Sequence, residues 1–133
     1  NLVRLKAESE NPTTEYDDFL GQAYTLRAMI HFDLVRLYGK PYNMDKGASL
    51  GVPVVTEIVN ASEQRTRNTV AEVYTQIVKD LLAGAELISK DKNNGYINYY
   101  GNQALLAVLR KDCATPHGHL RQNMSFRHVP SFL

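Results

Sequence analysis

Between Gly21 and Gly39 the chain reads GQAYTLRAMIHFDLVRLYG, and its apolar positions do not keep to one stripe. At about 100° per residue, Gln22, Thr25, Asp33 and Arg36 share a narrow arc, while Ala23, Leu26, Ala28, Ile30, Leu34, Val35, Leu37 and Tyr38 cover most of the remainder. Only Arg27 and His31 interrupt the apolar side. A helix of this kind needs neighbours on more than one flank, so the pattern predicts a helical array. The helix is expected over about 15–38. Thr13 or Thr14 follows the Asn11-Pro12 break as N-cap, and Glu15, Asp17 and Asp18 place negative charge in the first turn. Gly39 is placed to take a left-handed cap, and Pro41 stands where the helix has to stop.

From Lys40 to Asn68 the chain has turn chemistry and one extended piece, GVPVVT, too short and too proline-marked for a central strand. Ordered loops of this length are often functional. A second helix, about 69–90, opens on a capping box between Thr69 and Glu72. Its apolar face repeats at Val70, Val73, Tyr74, Ile77, Val78, Leu81, Ala85 and Ile88, and Glu72, Gln76, Lys79, Asp80, Glu86 and Lys90 read as its solvated side. Gly84, near the seam, costs about 1 kcal/mol of helix propensity against Ala and admits a close neighbour. After a polar turn a third helix is expected over about 98–109, with Ala104 and Ala107 between larger leucines. In residues 110–133 the period is lost, so an irregular tail that does not pack is expected.

Composition narrows the class further. With 133 residues, 44% apolar and 22% charged, and a formal net charge of +1, this is one ordinary domain's worth of chain. No Lys/Arg stripe is interleaved with aromatics, so no nucleic-acid partner is expected, and no stretch approaches the ~18 apolar residues of a spanning helix. The single cysteine, Cys113, excludes an internal disulfide and leaves the compartment open. The chain starts at Asn1, where Leu2, Val3 and Leu5 suit the end of an earlier helix, and it reads as a piece of something longer.

Four motifs then resemble the SusD/RagB family of glycan-capturing outer-membrane lipoproteins of Bacteroidota. GQAYTLRAMIHFDLVRLYGKPY is similar to the family's signature helix, and GVPVVT from Gly51 resembles the extended piece that follows it. RNTVAEVYTQIVKDL from Arg67 and NYYGNQALLA from Asn98 resemble the openings of its next two helices. Together they cover roughly 16–107 in family order. The departure comes where Val108-Leu109-Arg110 replaces the usual continuation, and a shifted reading frame or truncated gene is the expectation for the tail.

The resemblance implies an all-α, tetratricopeptide-like partial superhelix over 1–109, without catalysis. It implies work with a SusC-type TonB-dependent transporter on an oligosaccharide, and a lipid anchor in the outer membrane that this chain does not carry. The helices here would be scaffold.

Local chemistry adds little. Arg27 and His31, one turn apart, invite a relay or ligand role, with hydrogen bonds to loop carbonyls as the plainer account. Asp33 and Arg36 read as an exposed i,i+3 pair. Tyr42, Tyr96, Tyr99 and Tyr100 fall in or beside loops, where rings can stack on sugars but more often pack. Cys113, His117 and His119 form a C-x3-H-x-H cluster with no recognised fourth ligand, so no metal is assigned. No cofactor, catalytic or ligand-binding residue is assigned. One rival reading is a free-standing tetratricopeptide-like adaptor, which would need a repeat of about 34 residues that the loop to Asn68 breaks. The other is a small metal enzyme built on the tail.

Overall fold

A computed structural model describes residues 14–60, 62–91 and 95–113. Its helices are α1 (Thr14–Tyr38), a single turn α2 (Tyr42–Asp45), α3 (Val70–Leu87) and α4 (Tyr99–Cys113). Among the described residues there is no strand, only one antiparallel bridge between Leu50 and Thr69. The all-α expectation holds.

The main interface is α1 against α3, which run antiparallel: Gly21 meets Ile88 at one end and Gly39 meets Val70 at the other. A Cβ on Gly21 would lie 2.6 Å from the Ile88 backbone nitrogen, and one on Gly84 would lie 2.8 Å from Thr25 Oγ1 and 2.9 Å from the Gly21 carbonyl. The two glycines therefore let the helices touch backbone to backbone, the use expected of Gly84. Into this crossing α4 inserts Asn102, whose Nδ2 donates to Thr25 Oγ1 (2.9 Å) and to the Leu81 carbonyl (3.0 Å). Thr25 Oγ1 in turn donates to the Gly21 carbonyl at 2.9 Å. Both side chains are fully buried, and the network satisfies them where no water reaches.

Below that polar junction the core is apolar. Ala28, Phe32 and Val35 from α1 meet Val70, Val73, Tyr74, Ile77 and Leu81 from α3, closed by Leu106, Leu109 and Cys113 from α4. Burying a residue such as Ile77 or Leu81 contributes roughly 1.5–3 kcal/mol. Tyr74 stands edge-on to Phe32, and Tyr42 from α2 tilts against it at 5.2 Å. Burial pushes the Tyr74 phenol up to about 12.

Helix ends follow the sequence at α3. Glu72 N–H donates to Thr69 Oγ1 and Thr69 N–H to Glu72 Oε2, the reciprocal pair of a capping box. Accepting that backbone N–H, with help from the Asn68 amide, holds the Glu72 carboxyl below its ordinary value.

The apolar side of α1 is covered along one flank only: among the described residues Phe19, Leu26, Ile30, Leu34 and Leu37 stay exposed, Ile30 at 56% and Leu37 at 74%, as suits an inner helix in a piece of something longer. Four expectations need correction. Gly39 does not take positive φ; a Cβ there would lie 2.7 Å from the Val35 carbonyl, so its glycine serves close approach. Among the described residues positive φ is taken instead by Lys46 and Gly47, which end α2, a single turn inside the expected loop, and by Gly95. Asp80 is not on a solvated face but 2% exposed, held by a partner on α1. Finally, α4 runs to Cys113, past the expected end at 109, because Cys113 continues the Asn102, Leu106, Leu109 spacing into the core. The remainder of the expected tail, from 114, lies outside the described residues.

Candidate functional site

Two groups of side chains outside the apolar core have organised geometry. The first ties the long loop to the helix pair. Arg27 grips Asp80 of α3 with two nitrogens, Nε to Oδ2 at 2.8 Å and Nη2 to Oδ1 at 2.6 Å, and Gln76 Nε2 adds a third bond to Oδ1 at 2.7 Å. Such a planar fork is the strong form of this pairing. The hydrogen bond to Asp80 raises the Arg27 guanidinium above its ordinary value, against the opposing effect of burial. Its remaining nitrogen, Nη1, donates to the Thr56 carbonyl at 3.1 Å, at the end of the extended piece.

One turn on, His31 is buried with Nδ1 3.0 Å from the Arg27 carbonyl, while its Nε2 accepts the Val55 N–H at 3.2 Å. A carbonyl needs a donor and an N–H needs an acceptor, so Nδ1 donates and Nε2 accepts. The loop is fixed again at Asn68, whose Oδ1 accepts from Val54 N–H, and at Arg67, whose Nε donates to the Gly51 carbonyl at 2.6 Å. Arg67 Nη2 also reaches the carbonyls of Tyr38 and Leu50, which places a cation at the C-terminal end of α1. Arg27 and His31 are thus brought together as a strut for residues 51–56. Both face protein groups that use their polar atoms, which is the plainer of the two accounts the sequence allowed. The sequence reading missed Asp80 and Arg67 as its partners, since nothing in a helical wheel says which charge will meet a counter-charge from another helix.

The expected Asp33–Arg36 pair gives way to a tertiary one. Arg36 lies over the Phe32 ring at 5.1 Å, with Nε 3.5 Å from Asp112 of α4.

The second group sits at the turn between α3 and α4. Tyr99 N–H donates to the Ser89 carbonyl (3.0 Å), Ser89 N–H donates to Asp18 of α1 (2.6 Å), and Asn98 Oδ1 caps α4 by accepting from Gly101 N–H (3.1 Å). On this base the Tyr99 and Tyr100 rings stand at 82° with centroids 5.8 Å apart, and the Lys90 ammonium lies 5.0 Å from the Tyr99 centroid. Tyr100 and Tyr96 are 55% and 67% exposed. The four loop tyrosines therefore divide: Tyr42 packs on Tyr74, whereas Tyr96 and Tyr100 present ring surface to solvent.

Cys113 is the one member of the C-x3-H-x-H cluster among the described residues. Its thiol is buried, and burial with the neighbouring Asp112 pushes it up to about 12, which disfavours the thiolate a metal or a nucleophilic reaction needs. His117 and His119 lie outside the described residues. Among the described residues no three His, Cys, Asp or Glu side chains gather to hold a metal, and no helix is long and apolar enough to cross a membrane.

Antiparallel helices joined through a long braced loop define a class of α-hairpin scaffold, and comparison with known proteins places it. Residues 1–111 match the SusD-like family described as starch-binding and associating with the outer membrane. The chain belongs to the SusD-like family. It is similar to the crystal structure of a SusD superfamily protein from Bacteroides thetaiotaomicron, with a TM-score of 0.79 and 35% identity over 84% of this chain and 25% of that one. A putative sugar binding protein from Bacteroides vulgatus is 43% identical over 79% of this chain and 24% of that one, with a TM-score of 0.75. A SusD superfamily protein from the same species gives 0.78 and 35% over 84% and 26%. No functionally curated protein matches the chain. The chain spans about a quarter of the length of the solved relatives it matches, and its hairpins have the tetratricopeptide-like form of that fold.

Proposed function

We propose that the chain supplies scaffold helices of a non-catalytic glycan-binding protein that works in oligosaccharide uptake at the outer membrane. The observation that supports this reading most is the match of residues 1–111 to a family described as starch-binding and associating with the outer membrane. The geometry agrees with a scaffold. Among the described residues the polar groups from Arg27–Asp80 to Asn102 are spent on bracing, and the extended piece 51–56 of the long loop is held by side chains from α1 and by the segment leading into α3.

In this proposal the whole protein is anchored by lipid on the outer face of the outer membrane and passes its glycan to a SusC-type TonB-dependent transporter. The test is affinity purification of the whole protein, tagged in its native cells, from detergent-solubilised outer membranes. A TonB-dependent transporter in stoichiometric amount is expected. Recovery of the tagged protein from the soluble fraction, without a transporter, would overturn the uptake reading and favour the free-standing adaptor.

A further inference from the structure

The turn between α3 and α4 carries exposed aromatic surface that packing does not explain. The other ring cluster among the described residues is packed: Phe32, Tyr74 and the partly covered Tyr42 meet in the core. Tyr100 has no such role, being more than half exposed on the first turn of α4. Its neighbour Tyr99 lies against it with the ring planes at 82°, and Lys90, just past the end of α3, lies over the Tyr99 ring.

We infer that Tyr99, Tyr100 and Lys90 form a contact site for a pyranose ring, an inference that rests on the glycan-binding reading of the family. The chemistry fits in three respects. An open phenol ring offers a flat, electron-rich face to the weakly positive C–H face of a pyranose. Next to it, the Lys90 ammonium and the phenol hydroxyls supply donors for ring hydroxyls. The two rings are close to perpendicular and the Lys90 ammonium lies over Tyr99, so Tyr100, the more exposed of the two, is the ring left to stack on a sugar.

The backbone that carries the two rings is also braced before any ligand arrives. Tyr99 is pinned by its backbone to Ser89, Ser89 is pinned to Asp18 of α1, and Asn98 caps the helix that carries both rings. Little conformational freedom is then lost on binding, which is what a weak, single-ring contact requires. Within a longer oligosaccharide site such a contact adds to others by proximity, so its own affinity stays low.

The test is saturation-transfer difference NMR on the purified chain with maltoheptaose, laminarihexaose and mannohexaose in turn. Transfer to pyranose ring protons is expected from at least one of the three, with a dissociation constant of about 1–10 mM. Tyr100→Ala is expected to weaken it about tenfold, and Lys90→Met to weaken it less. Tyr38→Ala, at another exposed tyrosine, serves as control and is expected to leave it unchanged. Both site residues are exposed, so an unaltered thermal transition should accompany the loss. Transfer that survives Tyr100→Ala would overturn the site while leaving the glycan-binding reading intact. So would absence of transfer from all three sugars to the wild-type chain. Failure of the uptake reading itself shows separately, in the transporter purification from native membranes.

Discussion

The two sides of α1 have nearly the same hydrophobicity and opposite fates. One side carries Ala28, Phe32 and Val35 into the core with Thr25 and His31 beside them, all buried. The other carries Phe19, Leu26, Ile30, Leu34 and Leu37, all exposed among the described residues. Larger side chains lie on the exposed side, so size and hydropathy did not decide which face is packed. The packed face is the one with Gly21 at its start and Gly39 at its end, where α3 comes within touching distance, and the one whose Arg27 and Thr25 meet polar partners from α3 and α4. Close approach and polar matching selected the interface, and the apolar surplus of α1 stays exposed in a chain that spans about a quarter of its solved relatives.

Substitutions can break this contrast in order of severity. Phe32→Ala on the packed side should cost about 4 kcal/mol, read by denaturant unfolding, since it empties the contact with Tyr74 and leaves a cavity between α1 and α3. A loss under about 1 kcal/mol would mean that the α1–α3 core is not formed. Next comes Asp80→Ala, expected to cost about 3 kcal/mol by stranding the partly buried Arg27. The double variant with Arg27→Met should recover part of that loss, and a strictly additive result would remove the ion pair from the account.

Thr69→Ala gives a yardstick of about 1 kcal/mol for a cap that touches neither side of α1. It also has a pH signature. Glu72 has its carboxyl held below the ordinary value in the folded chain, so the stabilisation from its ionised form is complete above the unfolded carboxylate range. Stabilisation is lost as pH falls through the depressed folded value, and the gap between wild type and Glu72→Gln in thermal unfolding should shrink on acidification. A gap that widens in acid would contradict the capping box.

The smallest stability effect belongs to the exposed stripe. Ile30→Lys with Leu37→Glu should change unfolding free energy by within about 0.5 kcal/mol. The wild-type chain is expected to self-associate through this exposed stripe, and the same pair should sharply reduce that association in analytical ultracentrifugation. A monomeric wild type would show that the stripe is not sticky, and the two sides of α1 would then differ less than their exposure suggests.

Much of this was legible along the chain. Helix α3 could be read almost residue by residue, because its capping box and apolar repeat are local signals that agree with each other, and Gly84 announced a close crossing. The family could be read from four spaced motifs. Legibility failed where a residue's role depends on an element distant in sequence. Asp80 lies among polar neighbours in the helical wheel, yet it is buried because Arg27 arrives from α1. Asn102 and Thr25 look unremarkable until the glycine crossing brings them together. Arg36 has an acidic residue three positions back but lies beside Asp112 across the bundle. The aromatic corner was only half visible: the tyrosines stood out, but nothing local separated the packed Tyr42 from the open Tyr100.

What the sequence determined by itself was the helical identity of the segments, the cap of α3, and membership in a family through motif spacing, all of which depend on backbone propensity and on side chains a few residues apart. The tertiary structure alone decided which side of α1 is interior, which charges are paired, and which rings remain open. Burial and pairing depend on what another helix brings to within a few ångströms, and two faces of equal hydropathy carry no record of which will receive it.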